Sequence, residues 1–195
     1  MGWFWEFTAC ILPQILQLVN HINNQDFKVW SDSVILYSMV IYIGSDHKGY
    51  QLKKEIVLML KNGGYEVSDL GNVAQDENDD YPDFAAKVAE RVSRDIENAK
   101  GILICGSGVG MCVVANKFAN IRAALVASSD QAFDSKNDDN ANILCLGANY
   151  LSAEQAKKIV LTWSQTPFSE EERHTRRLQK IEQVEQQLLK TTGEQ

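Results

Sequence analysis

From Met39 onward, short runs of β-branched and aliphatic residues alternate with longer stretches whose apolar residues recur every three or four positions. The runs are read as strands at about 40–44, 66–70, 101–105, 122–127 and 142–147, each closed by glycine, a small residue or a turn. Between them, residues 49–63 place Leu52, Ile56, Met59 and Leu60 on one helical face, and 83–98 place Phe84, Val88, Val92 and Ile96 on another, behind Pro82. Further helices are expected at 108–118, 129–137, 153–165 and 170–189. Strict alternation of this kind requires a parallel sheet with right-handed helical crossovers on both faces. The expected architecture is therefore α/β: a doubly wound, Rossmann-like three-layer fold around a five-stranded parallel sheet ordered 2-1-3-4-5. In such a sheet the ligand crevice lies at the carboxyl ends of strands 1 and 3, where the connections reverse direction. Strand 1 ends in Gly44-Ser45-Asp46-His47 and strand 3 in Cys105-Gly106-Ser107, so these two segments are expected to meet.

The run Ile102-Leu103-Ile104-Cys105-Gly106-Ser107-Gly108-Val109-Gly110-Met111 joins a hydrophobic strand to a glycine-rich turn and then to a helix. Alternating glycines let the backbone turn sharply and aim several N–H groups at an oxyanion or phosphate. The dinucleotide fingerprint is excluded because Met111 stands where a third glycine is needed, and the P-loop because no Lys-Ser/Thr ending follows. A cysteine at such a loop is a candidate base or nucleophile. The competing reading of Cys105 is a small buried hydrophobe, the commonest fate of a free cysteine.

At 195 residues the chain suits one domain with a real core and an appended element. A net charge of −7 argues against a general nucleic-acid surface, which needs a basic face. The four cysteines (Cys10, Cys105, Cys112, Cys145) show no CxxC spacing and suggest reduced thiols in the cytoplasm. The three histidines (His21, His47, His174) are too dispersed for a metal motif, and no metal is expected. Residues 1–38 differ in character, with three of the four tryptophans and an apolar stretch from Phe7 to Val19 broken by Pro13 and Gln14. That stretch lacks the flanking charge of a signal peptide and the roughly 20 apolar residues of a membrane span. Two readings remain open: upstream sequence translated from a start before Met39, or an amphipathic extension packing on the domain or a membrane surface. The folded domain is expected to occupy 39–195, ending in a helix.

Read in order, Gly44-Ser45-Asp46-His47-Lys48-Gly49 with Leu52-Lys53, Asp80-Tyr81-Pro82, Cys105-Gly106-Ser107-Gly108-Val109-Gly110, Ala115-Asn116-Lys117, Ile121-Arg122-Ala123 and Asn140-Ala141-Asn142-Ile143-Leu144-Cys145-Leu146-Gly147 form a recognisable set. Together they resemble the sugar-phosphate isomerase family of ribose-5-phosphate isomerase B, which also holds the LacA and LacB subunits of galactose-6-phosphate isomerase. The likeness runs from Met39 to about Leu188, and residues 1–38 lie outside it.

This resemblance implies a cofactor-free interconversion of ribose 5-phosphate and ribulose 5-phosphate through a cis-enediol. It implies that Cys105 is the base and that the amides of Gly106, Ser107, Gly108 and Gly110 hold the enediolate oxygen. Ser107 matches a hydroxyl that passes protons between substrate oxygens. Met111 occupies the place where another branch of the family has a glutamate base. Asp46 and His47 match a pair that contacts the sugar, and Tyr81 a tyrosine close to the substrate. Arg173 and Arg177, four residues apart on one helical face, match two phosphate-binding arginines. Their alternative is pairing with Glu170, Glu171, Glu172 and Glu182 on a solvated helix. Relatives build the site at a subunit interface, which implies a homodimer or a dimer of dimers, with a phosphorylated sugar as partner and neither nucleic acid nor membrane.

One departure stands out. Where the family usually has His-Asn before strand 5, this chain has Asp138-Asp139. The acid that opens the sugar ring is then Asp138, His47 or solvent, with Asp139 beside the substrate. Two other functions stay open on these residues: isomerisation of a six-carbon sugar phosphate such as allose or galactose 6-phosphate, and a catalytically silent partner subunit.

Overall fold

The computed structural model describes residues 39–193 of the chain, so the expectations for residues 1–38 fall outside the described residues. Five strands, β1 (Val40–Ser45), β2 (Glu66–Asp69), β3 (Ala99–Cys105), β4 (Ala123–Leu125) and β5 (Ile143–Gly147), form one all-parallel sheet. The helices are α1 (Tyr50–Asn62), α2 (Tyr81–Arg94), α3 (Val109–Ala115), α4 (Ser129–Asn137), α5 (Ala153–Gln165) and α6 (Glu172–Gly193).

Side-chain alternation along the strands divides the core into two layers. Ile41, Ile43, Ile102, Ile104, Leu144 and Leu146 face α1, α4 and α5, packing against Leu52, Ile56, Leu60, Ala132, Val160 and Trp163. Leu103, Cys105, Ile143 and Cys145 point the other way, onto Phe84, Ala85, Val88 and Val92 of α2 and Met111 and Ala115 of α3. The second of these stripes ends sooner than its spacing suggests. Asp95 leaves helical geometry and accepts the Asn98 amide (3.2 Å), so Ile96 lies beyond α2 and is exposed.

The strand order is β2-β1-β3-β5-β4, not 2-1-3-4-5. Strand length explains the exchange. β5 covers β3 at five positions, from Gly101↔Ile143 to Cys105↔Gly147, and is buried throughout. The three-residue β4 in that place would leave backbone groups of β3 without partners, at about 1–3 kcal/mol for each buried group. β4 instead pairs with β5 at three positions and leaves Leu125 exposed at the edge. The chain moves outward from β1 to β2 under α1 and in the opposite direction from β3 to β4 under α3, on the other face. The reversal between β1 and β3 therefore survives the corrected order, and with it the crevice at their carboxyl ends.

Candidate active site

At the end of β1 the chain turns into α1 through Asp46, His47, Lys48 and Gly49. The Asp46 amide donates to the Ile104 carbonyl (3.3 Å) and its Oδ1 accepts the Gly49 amide (2.9 Å), which ties this turn to β3 and starts the helix. Asp46 is buried. At the neighbouring strand end, Cys105 is 4 % exposed and its Sγ accepts the Gly108 amide at 3.1 Å. Gly108 holds φ +77°, and a Cβ there would lie 2.5 Å from Leu125 Cδ1, so only glycine makes this turn. Ser107 is exposed, and its hydroxyl accepts the Val109 amide at 3.3 Å. The loop is braced from β5: the Ala148 and Asn149 amides donate to the Cys105 and Gly106 carbonyls (2.9 and 3.0 Å).

Tyr81, in the first turn of α2, lays its ring against Gly110, where a Cβ would come within 2.6 Å of the ring carbons. The structure thus brings together Asp46, His47, Tyr81, Cys105, Gly106, Ser107, Gly108 and Gly110. It also adds residues that sequence reasoning missed. Lys48 Cδ and Asn149 Nδ2 crowd Gly106 from either side, 2.9 and 3.1 Å from where its Cβ would stand. Asp79 Oδ1 meets His47 twice, at the backbone amide (3.1 Å) and at Nδ1 (2.7 Å), while its other oxygen accepts Asn72 Nδ2 (2.9 Å). That carboxylate raises the His47 pKa above 6.5, chiefly through the side-chain hydrogen bond; desolvation opposes it, Asp46 adds to it and Lys48 works against it. Position just past a strand end was the available signal for Asn149. For Asp79 the signal was the acidic pair before Tyr81-Pro82, which does not say which carboxylate turns inward.

The remaining expected residues lie elsewhere in the chain's own fold. α4 delivers Asn137 to the amino side of the sheet, where the Ser169 amide donates to the Asn137 carbonyl (3.0 Å) and the Asn142 amide to the Arg122 carbonyl just before β4 (3.1 Å). Asp138 Oδ1 accepts Asn137 Nδ2 (2.7 Å) and lies 3.7 Å from Nδ1 of the buried His174, which also meets Ser169 Oγ at 2.6 Å. Asp139 lines a cavity of about 280 Å³ together with Asn116, Arg122, Ser135 and Ile181. Arg173 and Arg177 stand exposed on the first turns of α6, and Arg173 Nε pairs with Glu171 at 2.9 Å. An exposed pair of this kind contributes at most about 1 kcal/mol, so it leaves the guanidinium available to a stronger anion. Register separates the two groups: Cys105 is opposite Gly147, whereas the 138–142 turn enters β5 at Ile143. Four residues of strand, about 13 Å at ~3.3 Å each, lie between the levels of the two clusters.

A doubly wound parallel sheet with a cysteine–glycine loop and an aspartate–histidine turn at its switch point defines an α/β enzyme with a small-molecule site. The chain belongs to the family described as Ribose/Galactose Isomerase, which matches residues 41–181. Ribose-5-phosphate isomerase B of Escherichia coli is 41% identical over 146 residues, covering 75% of this chain and 96% of that protein. A crystal structure of ribose-5-phosphate isomerase B from Mycoplasma genitalium with bound ribulose-5-phosphate is 44% identical, with a TM-score of 0.73, and the match covers 75% of this chain and 96% of that one. The Clostridium thermocellum ribose-5-phosphate isomerase B structure is 45% identical with a TM-score of 0.73, over 77% and 99% of the two chains.

Proposed function

We propose that this protein is an aldose–ketose isomerase that interconverts ribose 5-phosphate and ribulose 5-phosphate. The observation that carries the reading is the Cys105 sulfur, buried at the switch point and held by the amide of the loop that follows it. The likeness to a structure holding ribulose-5-phosphate supports the same substrate here.

In the open-chain aldose, the Cys105 thiolate takes the proton from C2. The electron pair forms the C1=C2 bond and moves charge onto O1, for which the amides of Gly106, Ser107 and Gly110 serve as fixed donors, those of Gly108 and Val109 being taken by Cys105 Sγ and Ser107 Oγ. The O1 oxyanion gains a proton and O2 loses one, a transfer that the exposed Ser107 hydroxyl serves. Collapse of the second enolate makes C2 a carbonyl, and the Cys105 thiol returns its proton to C1. Asp46, His47 and Tyr81 hold the sugar. Arg173 and Arg177 bind the phosphate from another subunit, because within one chain they lie at the opposite end of the sheet from Cys105. A two-fold pair that sets α6 of one chain beside the loop of the other completes two equal sites, giving a homodimer or a dimer of dimers. Three reduced cysteines among the described residues suit the cytoplasm.

Purified protein given ribose 5-phosphate, allose 6-phosphate and galactose 6-phosphate in parallel tests the reading. Fastest turnover of the pentose phosphate, with loss of roughly 10²–10⁴ in rate on Cys105→Ser, is expected. Preference for a hexose phosphate, turnover of none of them, or more than about a tenth of the activity in Cys105→Ser contradicts it.

A further inference from the structure

Beneath His47 lies a chain of polar contacts that reaches back to the sheet edge. Lys53, 1 % exposed, donates from Nζ to Asp69 Oδ1 on β2 and to the Asn72 carbonyl, both at 2.8 Å. Asn72 Nδ2 holds Asp79 Oδ2 at 2.9 Å, and Asp79 Oδ1 takes both the amide and Nδ1 of His47. The Asp79 side chain is 4 % exposed against 23 % for His47. Lys53 and the Asp79 carboxylate are therefore shielded from water, Asn72 is half-buried, and the chain meets solvent at its two ends, at Asp69 on the sheet edge and at His47 in the site.

We infer that Asp79 is the positioning residue of this site: held by Asn72 and, through it, by Lys53, it keeps a proton on Nδ1 of His47 and leaves Nε2 as the ring atom that meets the substrate. The inference rests on the isomerase reading for the word substrate, and on geometry alone for the hold on the imidazole. A ring nitrogen's partner decides which nitrogen carries the proton. A carboxylate accepts only, so Nδ1 must be the donor. Two contacts from one oxygen, one to the backbone and one to the ring, fix the turn and the ring plane together.

The consequence is a change in what His47 offers. An imidazole whose Nδ1 is bound to a carboxylate retains its second proton to higher pH, so Nε2–H remains a donor to an anionic or carbonyl oxygen near neutrality. Asp46 reinforces this charge from the same turn, and Lys48 opposes it. Once the ring is neutral, the remaining proton stays on Nδ1, and Nε2 becomes an acceptor.

Nitrogen-15 NMR of the imidazoles in the whole protein, with His47 assigned by its loss in His47→Gln, reads this directly. In the wild type, neutral His47 should carry its proton on Nδ1, and its titration midpoint should lie above 6.5. In Asp79→Asn the midpoint should fall, and the alkaline limb of kcat/KM for ribose 5-phosphate should move down in pH by the same interval. Asp79→Glu should restore most of both. A neutral wild-type His47 protonated on Nε2 overturns the inference without any Asp79 variant, as does an unchanged midpoint in folded Asp79→Asn. Failure of the wild type to turn over ribose 5-phosphate overturns the isomerase reading instead, and the NMR result still decides the hold of Asp79 on His47.

Discussion

The amide of Gly108 reaches the sulfur of Cys105 at 3.1 Å, and the same glycine holds the loop's one left-handed turn. Bending the chain and seating the candidate base are thus done by one residue. In Gly108→Ala, the new methyl would strike Leu125 and the backbone of Leu146. The expected cost is about 1–3 kcal/mol of stability from backbone strain alone, read by denaturant unfolding. Activity should fall further than stability, because the donor to Sγ moves with the strained turn. A folded Gly108→Ala protein with wild-type kcat would mean that this amide does not position the sulfur.

The arginines on α6 predict a different signature. Arg173→Ala or Arg177→Ala should raise KM for ribose 5-phosphate about tenfold or more, given the ~1.5–3 kcal/mol of a hydrogen bond to a charged group. Inorganic phosphate should inhibit both variants more weakly. Thermal stability should change little, since both side chains are exposed and Arg173 loses only a surface pair with Glu171. An unchanged KM in both variants would leave these arginines as surface charges.

Asp138 lies beside His174 and Ser169, away from the Cys105 level of its own chain. Asp138→Asn keeps size and hydrogen-bonding reach while removing the titratable group. A modest loss of activity is expected, with His47→Ala the more damaging change. A near-complete loss in Asp138→Asn that is confined to ribose 5-phosphate as substrate, with ribulose 5-phosphate still converted, would move ring opening onto Asp138.

Stability should also depend on pH through His47. Its folded pKa is raised above 6.5, chiefly by the Asp79 hydrogen bond. The contribution is therefore fully present below the unfolded value of about 6.5 and is lost as pH rises through the folded midpoint. The melting-temperature gap between wild type and His47→Gln should be widest near about pH 5.5 and close on the alkaline side. A gap independent of pH would contradict the pairing.

Much of this arrangement is legible in the amino-acid order because its signals are local. The strand-to-glycine junctions at Asp46-His47 and Cys105-Gly106 follow from periodicity and turn chemistry, and the reversal at the switch point brings them together. The exchange of the last two strands is not local: residues 122–127 and 142–147 read as similar apolar runs. Only the number of backbone groups that β3 must satisfy selects β5. Asp79 was hidden for a similar reason, since Asp79 and Asp80 are adjacent and the loop's path, pinned by Lys53 on Asn72, decides which turns inward. The spacing of Arg173 and Arg177 shows a shared face, but their distance from Cys105 depends on where α4 and β5 send the chain.

The proposed site joins the Cys105 loop of one chain to Arg173 and Arg177 of another, and subunit mixing tests that most directly. Cys105→Ala and the double variant Arg173→Ala with Arg177→Ala should each be nearly inactive at low ribose 5-phosphate. Dissociated and reassociated in equal amounts, they should form hybrid pairs with one intact site, recovering about a quarter of wild-type activity for random two-fold pairing. Recovery near that level is the predicted result. Verified hybrids with no activity above either parent would contradict a site shared between subunits.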